Sequence, residues 1–125
     1  MEERNEFTPG PWKAFDVSEM HDEPRFMVGP REFCSIAEVR AGSTEAEETG
    51  DVAANARLIA AAPTQNQALK RLYHAYVSLL ETGRDRIVSL GGDCDPVDVM
   101  ERSDPALIEA RSALLLANTG GTENG

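Results

Sequence analysis

Two cysteines, two histidines, one tryptophan and two tyrosines are all that 125 residues hold of these types, and each scarcity closes a class of function. Cys34 and Cys94 lie far apart, fit no zinc spacing, and read as isolated thiols of a reducing compartment rather than as a disulfide framework. His21, beside Asp22, has no second histidine at ligand spacing, and neither has His74; no nucleophile motif accompanies them. No apolar run approaches the roughly 20 residues of a membrane span, and the polar opening Met1-Glu2-Glu3-Arg4-Asn5-Glu6 has no signal-peptide pattern. The expected location is the cytoplasm. Basic residues are scarce as well, 12 against 22 acidic ones, a net charge of −10. That balance argues against direct nucleic-acid binding, which needs a basic footprint on the phosphates. Gly91-Gly92 carries no phosphate-loop pattern, and Asp93, Asp95, Asp98 and Glu101 resemble a calcium loop spoiled by Pro96 and by the missing mid-loop glycine. No metal, cofactor or catalytic residue is assigned.

What is present suffices for one domain over residues 1–125, with a modest core and no need of covalent staples. Flexible segments are expected at 1–8, 41–50 and 119–125, where polar, acidic and glycine-rich residues leave no apolar periodicity. Charge is uneven: residues 1–50 carry a net −7, residues 51–89 a net +2 and residues 90–125 a net −5. Short alternating stretches at Trp12–Val17, Arg25–Val28 and Cys34–Val39, separated by turn residues, predict a three-stranded antiparallel meander over about 12–39. Trp12 follows the rigid Pro9-Gly10-Pro11 and reads as a core anchor laid on that sheet.

After the strands come helices, so the fold class is α+β. Asp51 caps a first helix over about 51–62, whose alanines, with Val52, Leu58 and Ile59, surround it and predict burial from several directions. Pro63 ends it and opens a second helix over about 63–82, with Leu69, Leu72, Tyr76 and Leu79 on one stripe and Gly83 as the stop. Asp104-Pro105 starts a third over about 104–118. Residues 84–103 stay open between helix and loop. Asn55 and Arg57, polar inside the alanine-rich run, have a structural reading, a backbone hydrogen bond and a solvent-reaching stem. Their functional reading is a pocket between sheet and helices. With Trp12, Tyr73 and His74 they form the candidate binding surface.

Thr8-Pro9-Gly10-Pro11-Trp12, the run Asp51 to Pro63 and, less specifically, Asp104 to Arg111 together resemble a widespread group of small phage and prophage proteins. Those share a TPGPW-type opening and an ANARLIAAAP-type helix. The resemblance departs after Pro63, where Thr64-Gln65-Asn66-Gln67 replaces a more acidic, leucine-rich helix start. It implies a phage setting and no particular activity. The expectation is a non-catalytic accessory protein that binds and inhibits a host protein or protein–nucleic acid complex, such as a defence component, by charge complementarity. Other readings are a nucleotide-signal sponge using Trp12, Asn55, Arg57 and Tyr73, a small hydrolase with metal on the Asp93–Glu101 acids, and a homodimer through Leu69, Tyr73, Tyr76 and Leu80.

Overall fold

Apolar side chains that alternate along a short strand can cover one face of a sheet, and here they do so in three strands. The computed structural model describes residues 7–40 and 51–118; of the segments expected to be flexible, 1–8, 41–50 and 119–125, all but residues 7 and 8 lie outside the described residues. Strand β1 is Lys13–Asp16, β2 is Arg25–Gly29 and β3 is Ala37–Arg40, antiparallel in the order β1-β2-β3. The register sets Ala14 opposite Val28 and Val28 opposite Ala37, with Phe26 opposite Val39 in the next row. Cys34–Ile36, expected in the third strand, instead belong to its approach, where Cys34 bridges back to Arg31. Both cysteines are free.

Helix α1, Val52–Ala60, lies across the sheet, and the Asp51 carboxylate caps it by accepting from the Ala53 N–H at 3.0 Å. Val28, Val39, Val52 and Ala56 form the buried centre, with Trp12, Ala14, Phe26, Ala37 and Ala60 packed around it. Val28 and Ala56 are wholly buried. A methyl group at position 56 lets the helix backbone come down onto the sheet. The expectation of burial from several directions does not hold: Leu58 is 63% exposed, because the sheet offers α1 one face only.

The two ends of this unit meet. A Cβ on Gly10 would stand 2.8 Å from the Pro63 Cβ, so the glycine is what lets the Pro-Gly-Pro segment lie against the buried proline that follows α1. The proline-rich opening and the alanine-rich helix are therefore halves of one packing contact. The peptide before Pro11 is cis.

Helix α2, Ala62–Ser89, runs well past residue 82. Gly83 does not stop it, since a helix-interior glycine costs only about 1 kcal/mol relative to alanine. The stop comes at Gly91, whose φ of 91° is the left-handed backbone a helix end requires. There the Gly91 N–H donates to the Val88 carbonyl at 3.0 Å and the Gly92 N–H to that of Ile87 at 2.9 Å. Residues 97–103, open in the sequence reading, form helix α3, Val97–Ser103, followed by α4, Pro105–Asn118. Asp104 caps α4 by accepting from the Ala106 N–H at 2.9 Å. The fold is thus α+β, with a three-stranded antiparallel sheet and four helices among the described residues. None of these helices is long and apolar enough to cross a membrane.

Among the described residues, contacts divide the chain into two compact units, Thr8–Gln65 and a helical one made of Phe7 and residues 66–118. The helical unit is closed by polar bonds at intervals along α2. Asn66 and Asn118 exchange amide hydrogen bonds at 3.1 and 2.9 Å, and Asn118 also donates to the Leu114 carbonyl. The Tyr73 hydroxyl donates to Glu101, the Tyr76 hydroxyl to Asp104, and Arg84 Nε to the Asp95 carbonyl. Partners therefore descend from 118 to 95 as α2 ascends from 66 to 84, an antiparallel arrangement. Leu107, 2% exposed, is the deepest side chain of this unit.

Candidate functional site

Trp12 and Arg57 come together. With Lys13, Ala14, Ala60, Ala61 and Thr64 they line an open groove beside the N-terminal strand and α1. The indole is half-buried against the core, and its Nε1–H donates to the Thr8 carbonyl at 3.1 Å. Asn55 is not part of this groove. Two positions apart on a helix means about 200° of rotation, so Asn55 and Arg57 point to different sides of α1; both are exposed. Tyr73 and His74 lie in the helical unit. Tyr73 packs half-buried, its ring edge-on to the exposed His74 with centroids 6.1 Å apart. Its pKa is raised, chiefly by partial burial and then by the negative charge of Glu101. Of the five candidate residues, Trp12 and Arg57 share a groove, Asn55 lies on another side of α1, and Tyr73 and His74 belong to the helical unit.

A better-formed site is absent from that set. Phe15 and Met27 pair across β1 and β2 on the sheet face away from α1, since they alternate with Ala14, Phe26 and Val28. With Val17, Met20 and His21 from the first connection and Glu32, Phe33 and Ser35 from the second, they line a cup of about 300 Å³. Two hydrogen bonds and a short turn hold the first wall. Ser18 N–H donates to Asp16, whose pKa is lowered first by the Ser18 side chain and then by that backbone bond, and Arg25 N–H donates to Ser18 Oγ. The second wall depends on Gly29, where any Cβ would run into the Cys34 carbonyl oxygen.

Phe33 stands at the lip of the cup, 85% exposed and with a φ of 64°. A bulky L-residue in left-handed backbone costs roughly 1–2 kcal/mol. An aromatic ring is held out into solvent at a position suited to glycine or asparagine. The connections bordering the cup, residues 17–24 and 30–36, carry four acids (Glu19, Asp22, Glu23 and Glu32) against one base, Arg31. Glu23 is committed to Arg25, which also pairs with Glu38 at 2.9 Å on the same sheet face. The result is a methionine- and phenylalanine-lined depression with an acidic border. Alternation was the signal for it: β1 and β2 are apolar on both faces, and α1 covers one.

Among the described residues, no group of three or more His, Cys, Asp or Glu is placed to hold a metal ion. Of the acids in that stretch, Asp98 pairs with Arg102 at 3.3 Å and Glu101 accepts from Tyr73, while Asp95 accepts from Arg84 through its backbone carbonyl.

No curated protein and no solved structure matches the chain. A family match does exist, and it spans residues 1–121, nearly the full length. The chain belongs to a bacteriophage protein family, that of Salmonella phage P22 protein Y8K6.

Proposed function

We propose that this member of a phage family is a non-catalytic accessory protein that binds a host protein and inhibits it, a defence component being the expected target. Its docking surface is the cup on the open sheet face. The observation that carries the reading is Phe33, a large apolar ring kept exposed in unfavourable backbone beside a ready apolar depression. Exposed aromatic anchors next to pockets are where binding energy concentrates at protein interfaces. The acidic border and the net charge of −10 favour a partner segment in which an aliphatic or aromatic side chain is flanked by lysine or arginine.

Expression in a host whose defence it blocks tests this directly. Restored phage growth is expected with the native chain and lost with Phe33→Asp at equal protein level. No effect of the native chain on any defence system, or full activity of Phe33→Asp, contradicts it.

One observation favours a second reading, capture of a nucleotide signal: the groove puts an indole beside Lys13 and Arg57 on an otherwise acidic protein. Cyclic and linear nucleotides at concentrations well above Kd would then raise the melting temperature. An unchanged melting temperature across the panel removes this reading.

A further inference from the structure

Strand β1 is an edge of the sheet, and its outer side carries backbone groups without a strand to pair with. The register continues from Asp16 opposite Phe26 to Val17 opposite Arg25, where the Val17 N–H donates to the Arg25 carbonyl at 3.0 Å. Antiparallel ladders alternate between hydrogen-bonded and non-bonded pairs. Lys13, Phe15 and Val17 therefore turn their N–H and C=O groups towards β2, and Ala14 and Asp16 turn theirs outward. Among the described residues none bonds these outward groups; Asp16 is engaged only through its carboxylate, by the Ser18 N–H.

Beside this edge runs the groove next to α1, about 540 Å³. Ala14, Ala60 and Ala61 line it with methyl groups, which leaves room for a side chain from outside between strand and helix. Its charge is one-sided. Lys13 and Arg57 line it and no acid does. Neither cation has an ion-pair partner among the described residues, on a chain whose net charge is −10. A lysine on an edge strand discourages pairing with other strands. It admits one that brings the opposite charge.

We propose that β1 takes up an extended acidic segment of a partner protein as a fourth strand, bonded to the Ala14 and Asp16 backbone. Successive side chains of such a strand point to opposite faces of the sheet. Those on the α1 side enter the groove, where the alanine lining suits valine or isoleucine and Arg57 suits a neighbouring acid. Those on the other side meet Lys13, which suits aspartate or glutamate. Main-chain bonds then supply the affinity, and the sites for alternate side chains the specificity. A nucleotide in the same groove would use the cations and the indole and leave the edge unpaired, so the free edge favours the peptide. The groove lies on the α1 side of the sheet and the cup on the other, and this site makes no use of Phe33.

The test titrates the full chain into a fluorescein-labelled peptide of about eight alternating glutamates and valines, a strand's length. Saturable binding below about 200 µM is expected. Arg57→Glu, or lysine in place of the peptide's glutamates, should weaken it at least tenfold. Arg57 is exposed, so its replacement should leave far-ultraviolet circular dichroism unchanged. N-methylating either the valines or the glutamates blocks one edge of the peptide, and one of the two methylated forms should lose at least tenfold. Hydrogen exchange by NMR reads the strand itself: the Ala14 and Asp16 amides should exchange fast in the free protein and at least tenfold slower under saturating peptide. No binding at about 1 mM, binding indifferent to Arg57→Glu or to both methylations, or bound peptide without protection of the two amides would overturn the proposal. So would a nucleotide that raises the melting temperature while the peptide does not bind.

Discussion

Replacing Phe33 by asparagine should make the protein more stable and less able to bind. At 85% exposure the ring has little burial to lose. Its backbone, with a φ of 64°, costs roughly 1–2 kcal/mol for an ordinary L-residue, and asparagine relieves much of that. Unlike glycine, asparagine adds little freedom to the unfolded chain, so most of the gain survives. The expected net effect is a stabilisation of about 1 kcal/mol, or about 4–8 °C in Tm for a unit of this size. Trp12 is the only tryptophan and lies in the sheet unit, so its fluorescence in a urea titration reports that unit alone. The midpoint should rise with no change in slope. A midpoint lowered by the equivalent of 1 kcal/mol would refute the reasoning, since Phe33 would then be a packing residue and its exposure no sign of an interface.

Gly29→Ala should destabilise the sheet unit by about 2–4 kcal/mol, because the new Cβ collides with backbone rather than with a movable side chain; the same Trp12 titration reads it. Asn66→Ala should cost the helical unit about 1–2 kcal/mol by stranding the half-buried Asn118 amide, measured as a lowered midpoint in circular dichroism. Tyr73 and Tyr76 are the only tyrosines, so tyrosinate absorbance reads the helical unit. Both hydroxyls have raised pKa values, Tyr73 chiefly from burial and Tyr76 chiefly from its hydrogen bond to Asp104. Their contribution to stability is therefore full below pH 10 and is lost as pH rises through the native values. Absorbance should develop above pH 10 in the folded protein and shift down towards 10 on unfolding in urea; coincident curves would show that neither bond forms.

Local features were legible because their causes are local. Asp51 and Asp104 cap helices by accepting from the N–H two residues on, and Pro63 can sit only in a first turn. The core row Ala14, Val28 and Ala37 follows from alternation. Gly83 misled because the cost of a glycine inside a helix is small beside that of ending it, whereas Gly91 supplies the positive φ that a stop needs. Asn55 and Arg57 stand together as the polar residues of the alanine-rich run, although helix geometry alone separates them. The Asn66–Asn118 and Tyr73–Glu101 bonds join residues far apart in the chain, and nothing in the local pattern announces them. The cup was half visible, in strands apolar on both sides with one helix to cover them. The backbone that pushes Phe33 outward belongs to a turn whose residues, Arg31-Glu32-Phe33-Cys34, carry no glycine to signal it.

A photo-crosslinking amino acid placed at Phe33, with a second variant carrying it at Ile87 as control, tests the docking surface inside infected or prophage-bearing cells. The account predicts one dominant adduct to a host protein at position 33, absent at position 87, lost when Met27→Glu fills the cup with charge, and joined through a basic segment of the partner. The same adducts at both positions, or none at position 33, would contradict it.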